Sequence, residues 1–148
     1  MIDRSYNVKK PGFVFDAWAL VAYFKNEIPA ADRVAELLHQ AGNHELDVFL
    51  SLINLGEVYY TLGRTKGRAF AEQILVHIRQ LPINLLALEE TTVFQAATYK
   101  TIYAISYADS FALAAAVQHD ATLITGDPEF DKLHGQFAIE RLYRAHRN

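Results

Sequence analysis

The chain has 148 residues, of which 51% are hydrophobic and 12% aromatic, and its formal net charge is −3. This composition excludes a disordered chain and suffices for one domain that buries roughly two-thirds of its unfolded surface. The absence of cysteine excludes disulfides, zinc–thiolate sites and a cysteine nucleophile. The acidic balance also argues against a protein that binds nucleic acid by charge alone.

The hydropathy of the chain predicts neither a membrane span nor a signal peptide. No apolar run reaches the ~18 residues of a membrane span, and the N-terminal residues lack the apolar core of a signal peptide. We therefore expect a cytoplasmic protein that does not bind a membrane. We divide it into a flexible lead-in at 1–12, a single domain at 13–142 and a basic C-terminal tail at 143–148.

Short apolar runs, bounded by turn residues, predict the strands. The inner runs show no alternation with polar residues, which indicates a parallel sheet covered on both faces. The predicted strands are 13–15, 47–51, 83–88, 121–125 and a final edge strand at 137–142.

Segments with helical spacing of apolar residues separate these strands. Gly63 is expected to end the third helix, and Pro82 to stop the fourth. The predicted helices are 17–25, 29–42, 52–62, 69–80, 89–103 and 106–119, with a short helical turn after Asp127. Alternating strands and helices predict an α/β fold, a three-layer α/β/α sandwich around a mainly parallel sheet of four to five strands.

Four acidic residues fall at the boundaries of these segments. Asp16 ends the first strand, and Asp127 lies just beyond the fourth. Glu57 and Asp109 lie near the beginnings of their helices. Because strands end and helices begin at the same edge of a parallel sheet, all four carboxylates are expected to meet at one mouth.

Carboxylates gathered in this way repel one another. At ~5 Å and an effective dielectric of ~20, each pair costs on the order of 3 kcal/mol, so protons or cations must neutralise them. A site of oxygen ligands selects hard ions, which indicates Mg²⁺ or Mn²⁺. Such an ion activates water and stabilises charge on a phosphate, so metal-assisted phosphodiester hydrolysis is the expected reaction class.

Each acid also has a purely structural explanation. Asp16 and Asp127 can cap the helices that follow them, and Asp109 can complement the dipole of its helix. Glu57 is harder to explain, because we expect its helix to be apolar nearly all round, and a buried lone carboxylate is costly. The four together therefore favour a functional cluster.

Four motifs in this order resemble those of the PIN-domain nucleases. They are FVFDAWALVAY at 13–23, LGEV at 55–58, YADSFALA at 107–114 and LITGDPEF at 123–130. The resemblance covers residues 13 to about 140, and is closest to the VapC toxins of bacterial and archaeal toxin–antitoxin pairs. It implies a PIN-like fold and a divalent-metal endoribonuclease, usually a homodimer, that hydrolyses RNA and is silenced by a small antitoxin protein.

The resemblance also implies which residues are catalytic. The acidic quartet, which would bind Mg²⁺ or Mn²⁺ and carry catalysis, is Asp16, Glu57, Asp109 and Asp127. Asp16 and Asp109 would be ligands of the ion or hold its waters, and Asp127 would complete the site. Glu57 would orient or deprotonate the attacking water.

Four other positions qualify this assignment. Thr125 would supply a supporting hydroxyl, and Asp131 a weaker acidic contact one helical turn beyond Asp127. The chain departs from the family pattern at Gly56, where a larger or hydroxyl residue is common, and at Trp18, where a small hydroxyl residue is usual. The departure at Trp18 affects a minor hydrogen bond rather than the metal site.

Other classes fit the sequence less well. A phosphoryl-transfer enzyme of the haloacid dehalogenase type requires an aspartate where Trp18 stands. A receiver module requires paired acids after the first strand and a phosphoacceptor aspartate after the third, and the sequence has neither. The remaining alternative is a catalytically degenerate PIN-like scaffold that binds RNA or protein without cleaving. Basic residues such as Lys66 could contact RNA phosphates, although ordinary solvated charge is the commoner explanation. The sequence leaves the target RNA, the antitoxin and the number of metal ions open.

Overall fold

A computed structural model describes residues 9–145 of the chain. Most of the predicted lead-in, residues 1–8, and the last three residues of the predicted tail lie outside the described residues. Within residues 9–145, no helix combines the length and apolar character needed to cross a membrane.

The central sheet confirms the predicted α/β class. Its strands are β1 (Gly12–Phe15), β2 (Asp47–Ser51), β3 (Asn84–Leu86), β4 (Thr122–Thr125) and β5 (Ile139–Arg141). Their spatial order is β3-β2-β1-β4-β5, and each neighbouring pair is parallel. The third and fifth strands are shorter than predicted, because strand pairing is limited to residues 84–86 and 139–141.

Six α-helices and one 3-10 helix surround this sheet within the described part of the chain. They are α1 (Ala17–Phe24), α2 (Ala30–Gly42), α3 (Leu52–Lys66), α4 (Arg68–Gln80), α5 (Glu90–Ile102), α6 (Tyr107–Gln118) and the 3-10 helix (Pro128–Leu133).

Alternating side chains of the strands divide the core into two halves, since successive residues of a strand point to opposite faces. Phe15 and Ile124 pack into a cluster with residues of α1 to α4. Their neighbours Val14 and Leu123 pack with α6 on the other face. Helix α5 then covers α6 through Ala96. The result is the predicted three-layer α/β/α sandwich.

The predicted end of the third helix was wrong. Helix α3 continues past Gly63 to Lys66 and ends at Gly67, whose φ of 90° is a conformation that glycine adopts readily. Gly63 instead lies against Ala71 of α4, where a Cβ would stand 3.6 Å from the Cβ of Ala71. Gly63 therefore lies inside α3, where this helix contacts α4, and does not terminate it.

The expectation that this helix is apolar and buried nearly all round was also wrong. Leu52 and Tyr60 of α3 are exposed, at 41% and 48%, and Glu57 is only half-buried. One side of α3 therefore faces solvent, and the carboxylate of Glu57 lies at the boundary between this side and the interior.

Candidate functional site

The winding of the chain creates a crevice between β1 and β4. From β1 the chain proceeds through β2 to β3 on one side, and it returns to β4 and β5 on the other. In open α/β sheets, ligands bind beyond the carboxyl ends of the strands at this reversal point. Asp16 directly follows β1, and Asp127 follows β4 after one intervening residue.

A cavity of about 280 Å³ opens at this crevice, and we call it the acidic cavity. Its lining includes Trp18, Glu57, Asp109 and Asp127. Asp16 does not itself line the cavity: it is buried next to the lining residue Ala17, 1% exposed, and close enough to Glu57 and Asp127 that their charges raise its pKa. The structure thus brings together all four acids of the predicted quartet, from segments far apart in the sequence.

Asp16 is held by two hydrogen bonds. Its Oδ1 accepts from the backbone N of Ala19 at 2.9 Å, which caps helix α1, and its Oδ2 accepts from the hydroxyl of Thr125. Burial raises the pKa of Asp16 to about 7, with repulsion from Asp127 and Glu57 adding to the effect and the two hydrogen bonds opposing it. The capping explanation of Asp16 is therefore correct, and it coexists with a place in the acidic cluster.

Asp109 occupies the first turn of α6, where its backbone N donates to Oγ of the N-cap residue Ser106 at 3.1 Å. Burial, and after it the nearby carboxyls of Glu129 and Asp127, raise the pKa of its carboxyl to about 10. Its Oδ2 is buried and has no hydrogen-bond partner among residues 9–145. A buried oxygen without a donor, facing other carboxylates, is suited to a cation.

Glu129 joins this cluster, and our sequence analysis missed it. Oxygen atoms of Asp109, Asp127 and Glu129 lie within 4.8 Å of one another. Oε2 of Glu129 accepts from the backbone N of Ser106 at 3.0 Å, so the start of α6 holds it in place. The available signal was an acid two residues after Asp127 in the turn that follows β4. Among residues 9–145, this tight group contains neither Asp16 nor Glu57.

Glu57 is positioned by Asn54, a second residue that the sequence analysis missed. Nδ2 of Asn54, which is fully buried, donates to Oε1 of Glu57 at 3.1 Å and to the backbone O of Ala108 at 3.1 Å. These bonds join α3 to the start of α6. Partial burial raises the pKa of Glu57, repulsion from Asp127 raises it further, and the hydrogen bond from Asn54 opposes both.

The two supporting residues predicted from the sequence have different surroundings. The hydroxyl of Thr125 donates to Asp16 and accepts from the backbone N of Asp127 at 3.0 Å. Asp131 pairs instead with Arg141, whose Nε lies 2.7 Å from its Oδ1. Asp131 is not in the group formed by Asp109, Asp127 and Glu129.

Trp18 forms one wall of the acidic cavity. Its ring lies against Gly126, where any Cβ would collide with the ring. The guanidinium of Arg144 lies 5.4 Å from the ring centroid. A large aromatic side chain at this position therefore covers the backbone beside Asp127 and requires glycine next to it.

The donor set fits a hard divalent cation. The atoms that would bind the cation are carboxylate oxygens, and those of Asp109, Asp127 and Glu129 lie within 4.8 Å of one another. One buried oxygen of Asp109 also has no hydrogen-bond partner in the described part of the chain. The raised pKa values of Asp16 and Asp109 mean that the metal-free fold disfavours the ionised form of both carboxyls.

Comparison with protein-family models identifies the family that the four sequence motifs resemble. The model of the PIN domain family matches residues 13–136. Among curated proteins, none matches the chain in sequence.

Solved structures share the fold over most of the chain. VapBC2 from Rickettsia felis, bound to a promoter DNA fragment, has a TM-score of 0.69 at 18% identity, covering 89% of this chain and 99% of that one. A toxin–antitoxin complex from Klebsiella pneumoniae has a TM-score of 0.66 at 17% identity, with coverages of 89% and 98%. VapC20 from Mycobacterium tuberculosis, a sarcin–ricin loop cleaving toxin, has a TM-score of 0.66 at 17% identity, with coverages of 87% and 98%. At these identities the likeness shows a common fold.

Proposed function

The chain belongs to the PIN domain family, and on that basis we propose that it is a divalent-metal-dependent endoribonuclease and the toxin of a toxin–antitoxin pair. The observation that carries this proposal is the meeting of acids from several separate segments at the reversal point of the sheet. A cluster of this kind is costly to the fold, and metal-assisted hydrolysis of a phosphodiester accounts for it.

We assign the roles by position. Asp109, Asp127 and Glu129 would hold Mg²⁺ or Mn²⁺, and the buried Asp16 would add negative charge close to Asp109 and Asp127. When bound, the ion supplies positive charge that activates water and stabilises charge on the phosphate. Glu57 faces the same cavity with a raised pKa, which suits a residue that orients the attacking water and accepts its proton.

Thr125 and Asp131 act on the site through other residues. Thr125 positions Asp16 and Asp127 through its single hydroxyl. Asp131 acts through Arg141, whose Nη1 donates to the backbone O of Gly126, the residue before Asp127. Both are therefore positioning residues in this account.

RNA is the proposed substrate, because the solved structures that share the fold include a toxin described as cleaving the sarcin–ricin loop. A small antitoxin protein is the proposed partner, because several of those structures are described as VapBC, and one as a toxin–antitoxin complex. We further propose a homodimer that acts in the cytoplasm and a functional domain spanning residues 13–142.

The proposal is tested by incubating the purified protein with RNA in Mg²⁺, in chelator, and as the Asp16→Asn variant. We expect cleavage only in Mg²⁺ and only by the unsubstituted protein, with circular dichroism verifying that the variant is folded. Expression in cells is expected to arrest growth, and Asp109→Ala to relieve the arrest at equal protein level. RNA binding without cleavage in any divalent ion would contradict the proposal and favour a degenerate binding scaffold.

A further inference from the structure

A second cavity adjoins the acidic cavity and has the opposite charge. It has a volume of about 480 Å³, and we call it the basic cavity. Lys25 and Arg144 line both cavities, so the two cavities lie side by side. The residues that line the basic cavity are Lys25, Glu27, Thr65, Lys66 and Arg144.

The basic cavity carries a net positive charge, because three cationic side chains face one carboxylate. Glu27 is engaged by Arg144, whose Nη1 lies 3.2 Å from its Oε2. Lys25 and Lys66 take part in no ion pair among residues 9–145. The ammonium group of Lys66 lies 5.1 Å from the ring centroid of Phe70, a contact that leaves its hydrogen-bond donors available.

The fold fixes Arg144 at the boundary between the two cavities. The segment that carries it follows β5 and pairs with the segment before α2: the backbone N of Ala145 donates to the O of Ile28 at 2.9 Å, and the O of Tyr143 accepts from the N of Ala30 at 3.0 Å. Trp18 then packs beneath the guanidinium. Three separate elements, the ends of α1 and α3 and this C-terminal segment, thus bring cations to one place.

We propose that the basic cavity binds a backbone phosphate of the RNA strand, next to the linkage held in the acidic cavity. The strand then passes from the acidic cavity over Lys25 and Arg144 towards Lys66. A cationic groove that follows the backbone is the general means of holding a single strand without reading its sequence. This inference rests on the proposed ribonuclease function, and it explains how an acidic protein could retain an anionic substrate.

The test measures binding in chelator, so that no cleavage occurs, by fluorescence anisotropy of a short labelled single-stranded RNA at several salt concentrations. Lys66→Gln is expected to weaken binding about fivefold at low salt. It should also reduce the slope of log affinity against log salt by about 0.7. Lys66→Arg, which keeps the charge, should restore both quantities.

Lys9→Gln is the matched control, since it makes the same charge change at the opposite edge of the sheet, where β1 begins. Lys9 pairs with Asp120, which precedes β4, at 3.2 Å. Equal effects of Lys9→Gln and Lys66→Gln would overturn the proposal. An acidic peptide, polyglutamate, that binds as tightly as RNA and depends equally on Lys66 would also overturn it, because the cavity would then suit an acidic protein segment. Normal binding in chelator without cleavage in Mg²⁺ would contradict the nuclease function and leave the basic cavity supported.

Discussion

The hydroxyl of Thr125 donates a hydrogen bond to the carboxylate of Asp16, joining the end of β4 to the end of β1. Both residues are buried, at 0% and 1% exposure. The same hydroxyl oxygen accepts from the backbone N of Asp127 at 3.0 Å. One side chain therefore links two acids of the cluster.

Thr125→Val keeps the shape of the side chain but removes this hydroxyl. We expect it to lower the free energy of unfolding by about 1–3 kcal/mol, because Oδ2 of Asp16 and the amide of Asp127 lose their hydrogen-bond partner. Thr125→Ser keeps the hydroxyl and should cost less. Urea denaturation at pH 8, where most of Asp16 is ionised, measures the difference. Equal losses in the two variants would show that the hydrogen bond contributes nothing.

The metal-free protein is expected to lose stability as the pH rises. The folded state raises the pKa of Asp16 from 3.8 to about 7 and that of Asp109 from 3.8 to about 10. Between the unfolded and folded pKa values the folded protein binds more protons, so the free energy of unfolding falls as pH rises through this window. Denaturation in chelator between about pH 5 and pH 9 measures it.

Asp109→Asn provides the control for this pH dependence, because the amide cannot ionise. The variant should be more stable than the unsubstituted protein at pH 8 in chelator, and its stability should vary less with pH. A stability that rises from pH 5 to pH 8, or an unchanged slope in Asp109→Asn, would contradict the burial of these carboxylates.

Substitutions at Glu129 and Asp131 compare a site residue found in the structure with one predicted from the sequence. Glu129→Gln should slow Mg²⁺-dependent cleavage at least about tenfold. The reason is that a carboxylate oxygen of Glu129 lies within 4.8 Å of oxygens of Asp109 and Asp127, close enough for the three to bind one ion. Asp131→Asn breaks a pair with Arg141 in which Asp131 is half exposed, and such pairs contribute roughly 0–1 kcal/mol. Its cleavage rate should fall by much less. The reverse ranking would favour the sequence prediction for Asp131 over the structural position of Glu129.

Asn54→Ala tests how Glu57 is positioned. The hydrogen bond from Asn54 lowers the pKa of Glu57, so its loss should move the acidic limb of the pH–rate profile for cleavage to higher pH. A loss of stability from the broken contact with Ala108 would leave that limb in place. An unchanged limb would therefore remove Asn54 from the catalytic account.

The order of elements could be predicted because apolar runs and capping residues are local signals. Strand β2 has the predicted bounds, and the ends of α1, α2 and α4 fall within one residue of those predicted. The prediction that Gly63 ends α3 was wrong, because the helix continues to Lys66. Gly63 instead contacts Ala71 of the next helix, and the sequence does not reveal such a tertiary contact. The sequence alone cannot distinguish a glycine that ends a helix from one that lies inside a helix and contacts a neighbouring helix.

The same limit explains what was missed in the site. Asp16 and Asp127 could be proposed because strand ends converge in any parallel sheet. Glu129 depends on a contact with Ser106, 23 residues earlier in the sequence, which no periodicity reveals. Asp131 was placed beside Asp127 by assuming 3.6 residues per turn, whereas this segment is a 3-10 helix with about three. That change of period directs the Asp131 side chain towards Arg141.

A titration with Mn²⁺ tests most directly whether the acids together hold a divalent ion. Trp18 is the sole tryptophan and lines the acidic cavity, so its fluorescence reports binding there. Asp120→Asn is the matched control, because Asp120 is exposed, precedes β4 and has a φ of 49°, which asparagine also adopts. We predict a saturable change in Trp18 emission for the unsubstituted protein and Asp120→Asn, and none for Asp109→Asn over the same range. Binding of equal affinity by Asp109→Asn would contradict the account.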